Sequence, residues 1–329
     1  MSVTNFKRKL LQAVLEHLWH QWSALGIMGY ATPRHDKWSI DPEALLICSA
    51  GFCRYDQRLY DLMLSWLMKY GTLLSPTRVK ALLRVMPPVD NASLVYVAAQ
   101  CAQSGDKRWQ NLIPAHGEHP ESAKALFRNS DDTPVLPAHG EDALARKHGF
   151  IRNAFMYQDK SKQVLPDNKA TLLLRMRSLF GVSARADIIT HLAMNACTIS
   201  ELVDQSGYAR SSIKEVLVEL EAGNSVETVG QQARNVAYVL TCADSLRRMM
   251  NMPGSSPVHW RHVYSALMLL WQHLIALCRI PLSEATINGE LALLYKDSLQ
   301  QHMWRSGIDS LQNMKPDSLP DLPATLTTL

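Results

Sequence analysis

Apolar residues recur at helical spacing over most of the chain. Over 5–25, Leu11, Leu15, Leu18, Trp22 and Leu25 step alternately by four and three residues, and Trp19 widens the stripe. That rhythm predicts an amphipathic helix with a coiled-coil-like seam. Further helices are marked by their first residues. Asp41-Pro42-Glu43 sets a capping side chain before a proline at the first helical position, ahead of Ala44, Leu45, Leu46 and Ile47. Asp56 precedes Leu59, Leu62, Met63, Trp66 and Leu67, and Ser75-Pro76 precedes Val79, Leu82 and Leu83. Asp90 precedes Leu94, Val97 and Ala98, a run that ends near Gly105. Residues 1–112 are expected to form an all-helical domain.

From 113 to 166 periodicity gives way to punctuation. Pro114, Pro120, Pro134, Pro137 and Pro166, with Gly117, Gly140 and Gly149, interrupt a polar stretch. It reads as an irregular linker with one short helix around 141–147. Arg146, Lys147, Arg152, Lys160 and Lys162 make it locally basic, as a solvated surface or a flank for nucleic acid would be.

The helical rhythm resumes with Leu172, Leu173, Met176 and Leu179, then Ile188, Ile189, Leu192 and Ala193. Over 198–241 the pattern changes character. Thr198 and Glu201 have the spacing of a capping box, Ile199, Leu202 and Val203 give a short helix its apolar face, and Gly207 marks a sharp turn. Ile213, Val216, Leu217 and Leu220 form one face of a second helix over 210–221, closed by Gly223. Val226 and Thr228, a polar loop over 230–235, and then Val236, Tyr238 and Leu240 alternate as a hairpin does. Helix, turn, helix and ribbon predict a winged helix-turn-helix within 167–250, including a helix over 243–250. After a break at Pro253-Gly254-Ser255, two long helices are expected over 258–277 and 283–304, a C-terminal pair within 251–307. Their apolar residues exceed what one face needs, which implies packing on the N-terminal helices or on a second subunit. Residues 308–329 are polar with three prolines and read as a flexible tail. The fold class is mainly α: a central winged helix-turn-helix with a small β-hairpin wing, flanked by helical units.

The run SELVDQSGYARSSIKEVLVELEAG, followed by a hairpin, resembles the DNA-binding core of the MarR and ArsR groups of bacterial winged-helix transcription regulators. Leu202-Val203, Gly207, Arg210-Ser211-Ser212-Ile213, Leu217, Leu220 and Gly223 stand at the positions of that pattern, within residues 168–245. Ala209 departs from it where a helix-capping Ser is usual, and Asn224-Ser225 replaces the usual apolar residue after the Gly. The resemblance implies double-stranded DNA as partner. An α-helix fits the major groove, and Arg210, Ser211, Ser212, Lys214 and Glu215 lie off the apolar face of the second helix. Arg210 suits a guanine or a phosphate, while the serines and Lys214 suit phosphates. Gln231, Gln232, Arg234 and Asn235 on the wing would enter or track the minor groove. Two recognition helices about 34 Å apart would read a palindrome, so a homodimer is expected. Its surface would be the seam of the first helix or the final helical pair, each of which equally suits an intrachain core.

Composition narrows the alternatives. With 329 residues, 47% hydrophobic and 19% charged, the chain has ample material for a packed core and is not a disordered protein. The net charge of +4 hints only mildly at anionic partners. Nine basic and eight acidic side chains between 169 and 248 leave the reading head nearly neutral, less basic than many DNA readers. Six scattered cysteines and no signal-peptide pattern suit thiols in a reducing cytoplasm. Glu16, His17 and His20, or His116 and His119, make no convincing metal set, and Cys48 and Cys53 lack ligand spacing. Glycine-rich phosphate loops, nucleophile elbows and His-Glu-x-x-His pairs are absent from the sequence, so neither an enzyme nor a cofactor is implied. The expectation is a dimeric repressor acting by promoter occlusion. The alternative is an interaction subunit, antitoxin-like or a defence-system partner, that uses the same module to hold a protein.

Overall fold

The computed structural model describes residues 2–30, 38–87, 90–114, 122–164, 168–230, 236–252 and 258–329. Capping side chains set where the first helices begin. α1 (Val3–Ala24), α2 (Pro42–Phe52), α3 (Gln57–Tyr70), α4 (Pro76–Leu82) and α5 (Asn91–Gln103) start on Ser2, Asp41, Asp56, Ser75 and Asp90. Each cap accepts from the backbone N–H three residues on, which satisfies one of the donors a helix start leaves open. Buried indoles lock the bundle: Trp22 Nε1 donates to Ser49 Oγ at 2.9 Å, and Trp66 Nε1 to the Leu25 carbonyl at 3.0 Å.

The stretch expected to be a linker is instead strapped onto this bundle. β1 (Lys124–Ala125), β2 (Phe127–Arg128), β3 (Pro134–Val135), α6 (Ala143–Lys147) and β4 (Phe150–Ile151) form two minimal ribbons, β1 parallel to β4 and β2 antiparallel to β3. Leu126, Phe127 and Phe150 are buried in the bundle core. Arg54 Nε donates to the Leu126 carbonyl at 2.7 Å, fixing the ribbon from below. Arg152, only 1% exposed, donates to Asp61 at 2.6 Å beneath the Phe127 ring. Arg146 pairs with Glu141, so part of the basic stretch is already neutralised within the chain.

The next unit, the head, contains α7 (Leu172–Phe180), α8 (Ala184–Met194), β5 (Cys197–Thr198), α9 (Ile199–Ser206), α10 (Arg210–Ala222), β6 (Val226–Val229), β7 (Ala237–Leu240) and α11 (Ala243–Met249). Its strands form a three-stranded antiparallel sheet in the order β5-β7-β6, with Val226 opposite Leu240 and Cys197 opposite Tyr238. Leu172, Met176, Ile188, Leu192, Leu202, Ile213, Leu217 and Leu240 make a core of its own.

The last part closes the first. α12 (Trp260–Leu277) is followed by α13 (Glu284–Leu294), a wider π turn at Tyr295–Leu299, and α14 (Gln300–Arg305), where one continuous helix over 283–304 was expected. α15 (Asp309–Gln312) and α16 (Leu322–Leu326) replace the expected flexible tail. Leu311, Leu319, Leu322 and Leu326 are buried in the same core as α1–α5, which is why the segment is ordered despite its prolines. Residues 258–329 are therefore part of the body, not a separate pair and tail. α1 packs on α2, α12 and α16, so the seam offered as a dimer surface is intrachain core, and so is most of α12. Body and head share α7, which sends Leu174 into the body core and Leu172 and Met176 into the head core. The fold is mainly α, and among the described residues no helix is long and apolar enough to cross a membrane.

Candidate nucleic-acid interface

The geometry of the head begins at Thr198. Its Oγ1 accepts from the Glu201 N–H at 3.2 Å, and the Glu201 carboxylate accepts from the Thr198 N–H at 2.7 Å, a closed capping box that starts α9. α9 ends at Gly207, whose φ of +75° places it in the left-handed region, with its N–H on the Val203 carbonyl at 3.0 Å. α10 then starts without a side-chain cap, because Ala209 has no oxygen to offer.

Ile213, Leu217 and Leu220 point α10 into the head core, and the 3.6-residue period sends the rest outward. Arg210, Ser211, Lys214 and Glu215 are exposed, and Ser212 is half-buried. The Arg210 guanidinium lies 3.3 Å from Ser200 Oγ, across the turn on α9. The exposed surface of α10 is graded: Arg210, Ser211 and Lys214 come first, and Glu215, Glu219 and Glu221 follow, with Arg185 paired to Glu219. Only the first group has the charge to meet a phosphate backbone. Gln231, Gln232, Arg234 and Asn235 lie outside the described residues. The ribbon that carries them is in register up to Val229 opposite Ala237. β5 was missed from sequence, since two residues cannot show an alternation.

What sequence reasoning also missed is how the head is held. Asp204, on the back of α9, accepts from Arg261 Nη2 at 2.5 Å, lies 3.0 Å from His262 Nε2, and is 3.4 Å from Arg305 Nη1. His262 Nδ1 is in turn 3.0 Å from His302 Nδ1, so one ring donates to the other. Arg78 Nε on α4 donates to the Ser206 carbonyl at 2.7 Å, and Leu82 packs directly against Gly207. The helix–turn of the head is thus clamped from behind by α4, α12 and α14, while the outer side of α10 stays uncovered. No local signal announces these partners, which lie 57 to 128 residues away in sequence.

The clamp is sensitive to protons. Burial raises the Asp204 carboxyl, but the His262 hydrogen bond and the Arg261 and Arg305 charges outweigh it and bring it down to about 2. Burial holds His302 of the clamp down at about 4, and likewise His259, which precedes α12, and His191 on α8. A histidine kept neutral in the fold stabilises it above the unfolded value near 6.5, and that contribution is lost as pH falls toward 4. The melting temperature is therefore expected to fall by about 5 °C or more between pH 7.5 and 5. Calorimetry across that range on wild type and His259→Gln checks it: an unchanged slope in the variant would exonerate this histidine.

Among the described residues no group of three or more His, Cys, Asp or Glu converges as a metal site. Cys48, Cys53, Cys101 and Cys197 are buried, and burial pushes their thiols up, Cys197 to about 12, which leaves them poor nucleophiles. No protein-family model matches the chain, and neither does any curated protein or solved structure.

Proposed function

We propose that the chain is a DNA-binding transcription regulator that acts in the cytoplasm as a homodimer and represses by occluding a promoter. In this reading α9, Gly207, α10 and the β6–β7 ribbon are a winged helix-turn-helix. The observation that carries it is the outward face at the start of α10, where Arg210, Ser211 and Lys214 are exposed on a helix whose other side is buried. A rigid backing suits that role, because base readout requires a helix held at a fixed angle in the groove. Arg210, Lys214 and the wing Arg234 would supply about three phosphate or base contacts per head, hence roughly six per dimer.

The test is binding to the DNA upstream of the chain's own gene against scrambled DNA of equal length. Upstream DNA should be preferred, log affinity should fall against log salt with a slope of about −5, and Arg210→Ala with Ser212→Ala should weaken binding about tenfold or more. Equal, weak binding to both duplexes, indifferent to the double variant, sinks the proposal. A second reading rests on the remainder of α10. Glu215, Glu219, Glu221 and the exposed Val218 (63%) offer an acidic face with an apolar centre, suited to a basic protein partner. In that case capture of a basic protein, lost in Val218→Asp, replaces DNA binding.

A further inference from the structure

Away from the head, a cavity of about 220 Å³ opens in the body between α2, the turn that follows it, β2 and α12. One side is apolar: Phe52, Met268, Trp271 and Ile275 line it. The aromatic part of that wall is braced, with the Phe52 and Trp271 ring centroids 5.5 Å apart and Tyr55 edge-on to Trp271 at 5.5 Å. The other side is cationic. Arg54 is fully engaged, donating to the Leu126 and Ala125 carbonyls and pairing with Asp90. Lys7, against the Trp271 ring, is likewise paired with Asp132, which also accepts from the Tyr55 hydroxyl. Arg128, on β2, lines the cavity and forms no ion pair among the described residues, its charge reaching Asp132 only at longer range. Among the residues that line the cavity, two guanidinium groups thus face one carboxylate, Asp90, and one positive charge is left over beside an apolar wall. Burial, and next the neighbouring Arg128 charge, lower the Arg54 guanidinium, so the two cations already feel each other. A bound anion would relieve that repulsion.

We propose that this cavity binds a small single-ring organic carboxylate, its ring against Phe52, Met268 and Trp271 and its carboxylate on Arg128. Size decides the class. A cavity of about 150 Å³ accepts benzene, so this one admits a ring with one acidic substituent and excludes a nucleotide. A guanidinium binds a carboxylate through two parallel hydrogen bonds, which fixes the orientation of the ring. The site uses body residues only and stands independently of any DNA binding by the head.

The test is fluorine NMR of the full chain with 4-fluorobenzoate, and with 4-fluorobenzamide as the uncharged probe. Saturable binding of the benzoate is expected, with the amide about tenfold weaker or worse. Arg128→Gln should weaken the benzoate about tenfold without affecting the amide, and Arg128→Lys should recover part of the loss. Ile275→Trp fills the apolar side and should abolish binding of both probes, an arm that remains informative if an Arg128 variant folds poorly. Absence of saturable benzoate binding, equal binding of acid and amide, or binding that survives Ile275→Trp would overturn the assignment.

Discussion

Glu43→Ala is expected to destabilise the protein by about 3–5 kcal/mol, the largest effect of any single side-chain truncation proposed for this chain. Glu43 is completely buried, and each of its oxygens is used twice. Oε1 accepts from the Ser75 N–H at 2.7 Å and from Arg177 Nη1 at 2.5 Å. Oε2 accepts from Arg78 Nη1 at 2.7 Å and from Arg177 Nη2 at 3.0 Å. Around it, Arg78 makes a two-pronged pair with Asp41, and Arg177 makes another with Asp187. The network joins α2 and α4 of the body to α7 and α8 of the head. The geometry is good enough that the carboxylates hold both guanidinium groups protonated despite their burial. Truncation leaves two buried cations short of charge and one backbone donor without an acceptor, and the desolvation cost already incurred is no longer offset. Urea unfolding measures the loss. A change below about 1 kcal/mol would mean that water enters and replaces the carboxylate.

Gly207→Ala is expected to cost about 2–5 kcal/mol, from two separable sources. A φ of +75° penalises any residue with a Cβ by about 1–2 kcal/mol. The added Cβ would also lie 2.6 Å from Leu82 Cδ2 and 3.3 Å from its Cγ. Leu82 is fully buried, so it has nowhere to retreat, and overpacking adds about 1–3 kcal/mol. The two parts can be told apart by a double-mutant cycle with Leu82→Ala. In that background the clash is gone and only the backbone cost remains, so the cycle should show a favourable coupling of about 1 kcal/mol or more. Strict additivity would mean that the turn has moved off α4 in the single variant. The consequence extends to function if the head reads DNA, because Gly207 sets the angle between α9 and α10.

Much of this molecule was legible because its signals are local. Asp41, Asp56, Ser75, Asp90 and Thr198 each cap the helix that follows them, and each acts on a backbone group three residues away. The outward face of α10 followed from the spacing of Ile213, Leu217 and Leu220 alone. What escaped was whatever depends on residues far apart. Leu322 and Leu326 look like stray apolar residues among prolines until α1 is placed opposite them. Leu126 and Phe127 likewise gain meaning only once Arg54 and Arg152 are placed beneath them. Glu43 reads as an ordinary acidic residue in a first helical turn, and the arginine that needs it stands 134 positions later. Asp204 gave no sign of its role, since the three groups that hold it come from α12 and α14.

The packing of α1 against α16 also orders events during translation. α1 ends at Ala24 and α16 begins at Leu322. At about 5–20 residues per second, roughly 15–60 s separate their emergence from the ribosome. Through that interval Leu10, Val14, Leu18 and Trp22 lack part of their native cover, while the head has all its strands and helices in one contiguous stretch and can close first. Chains stalled just after the head has emerged from the ribosome should then resist protease across the head and remain open to it along α1. The nascent body is thus the species that most needs a chaperone, and its protection arrives only when the leucines of α16 are in place.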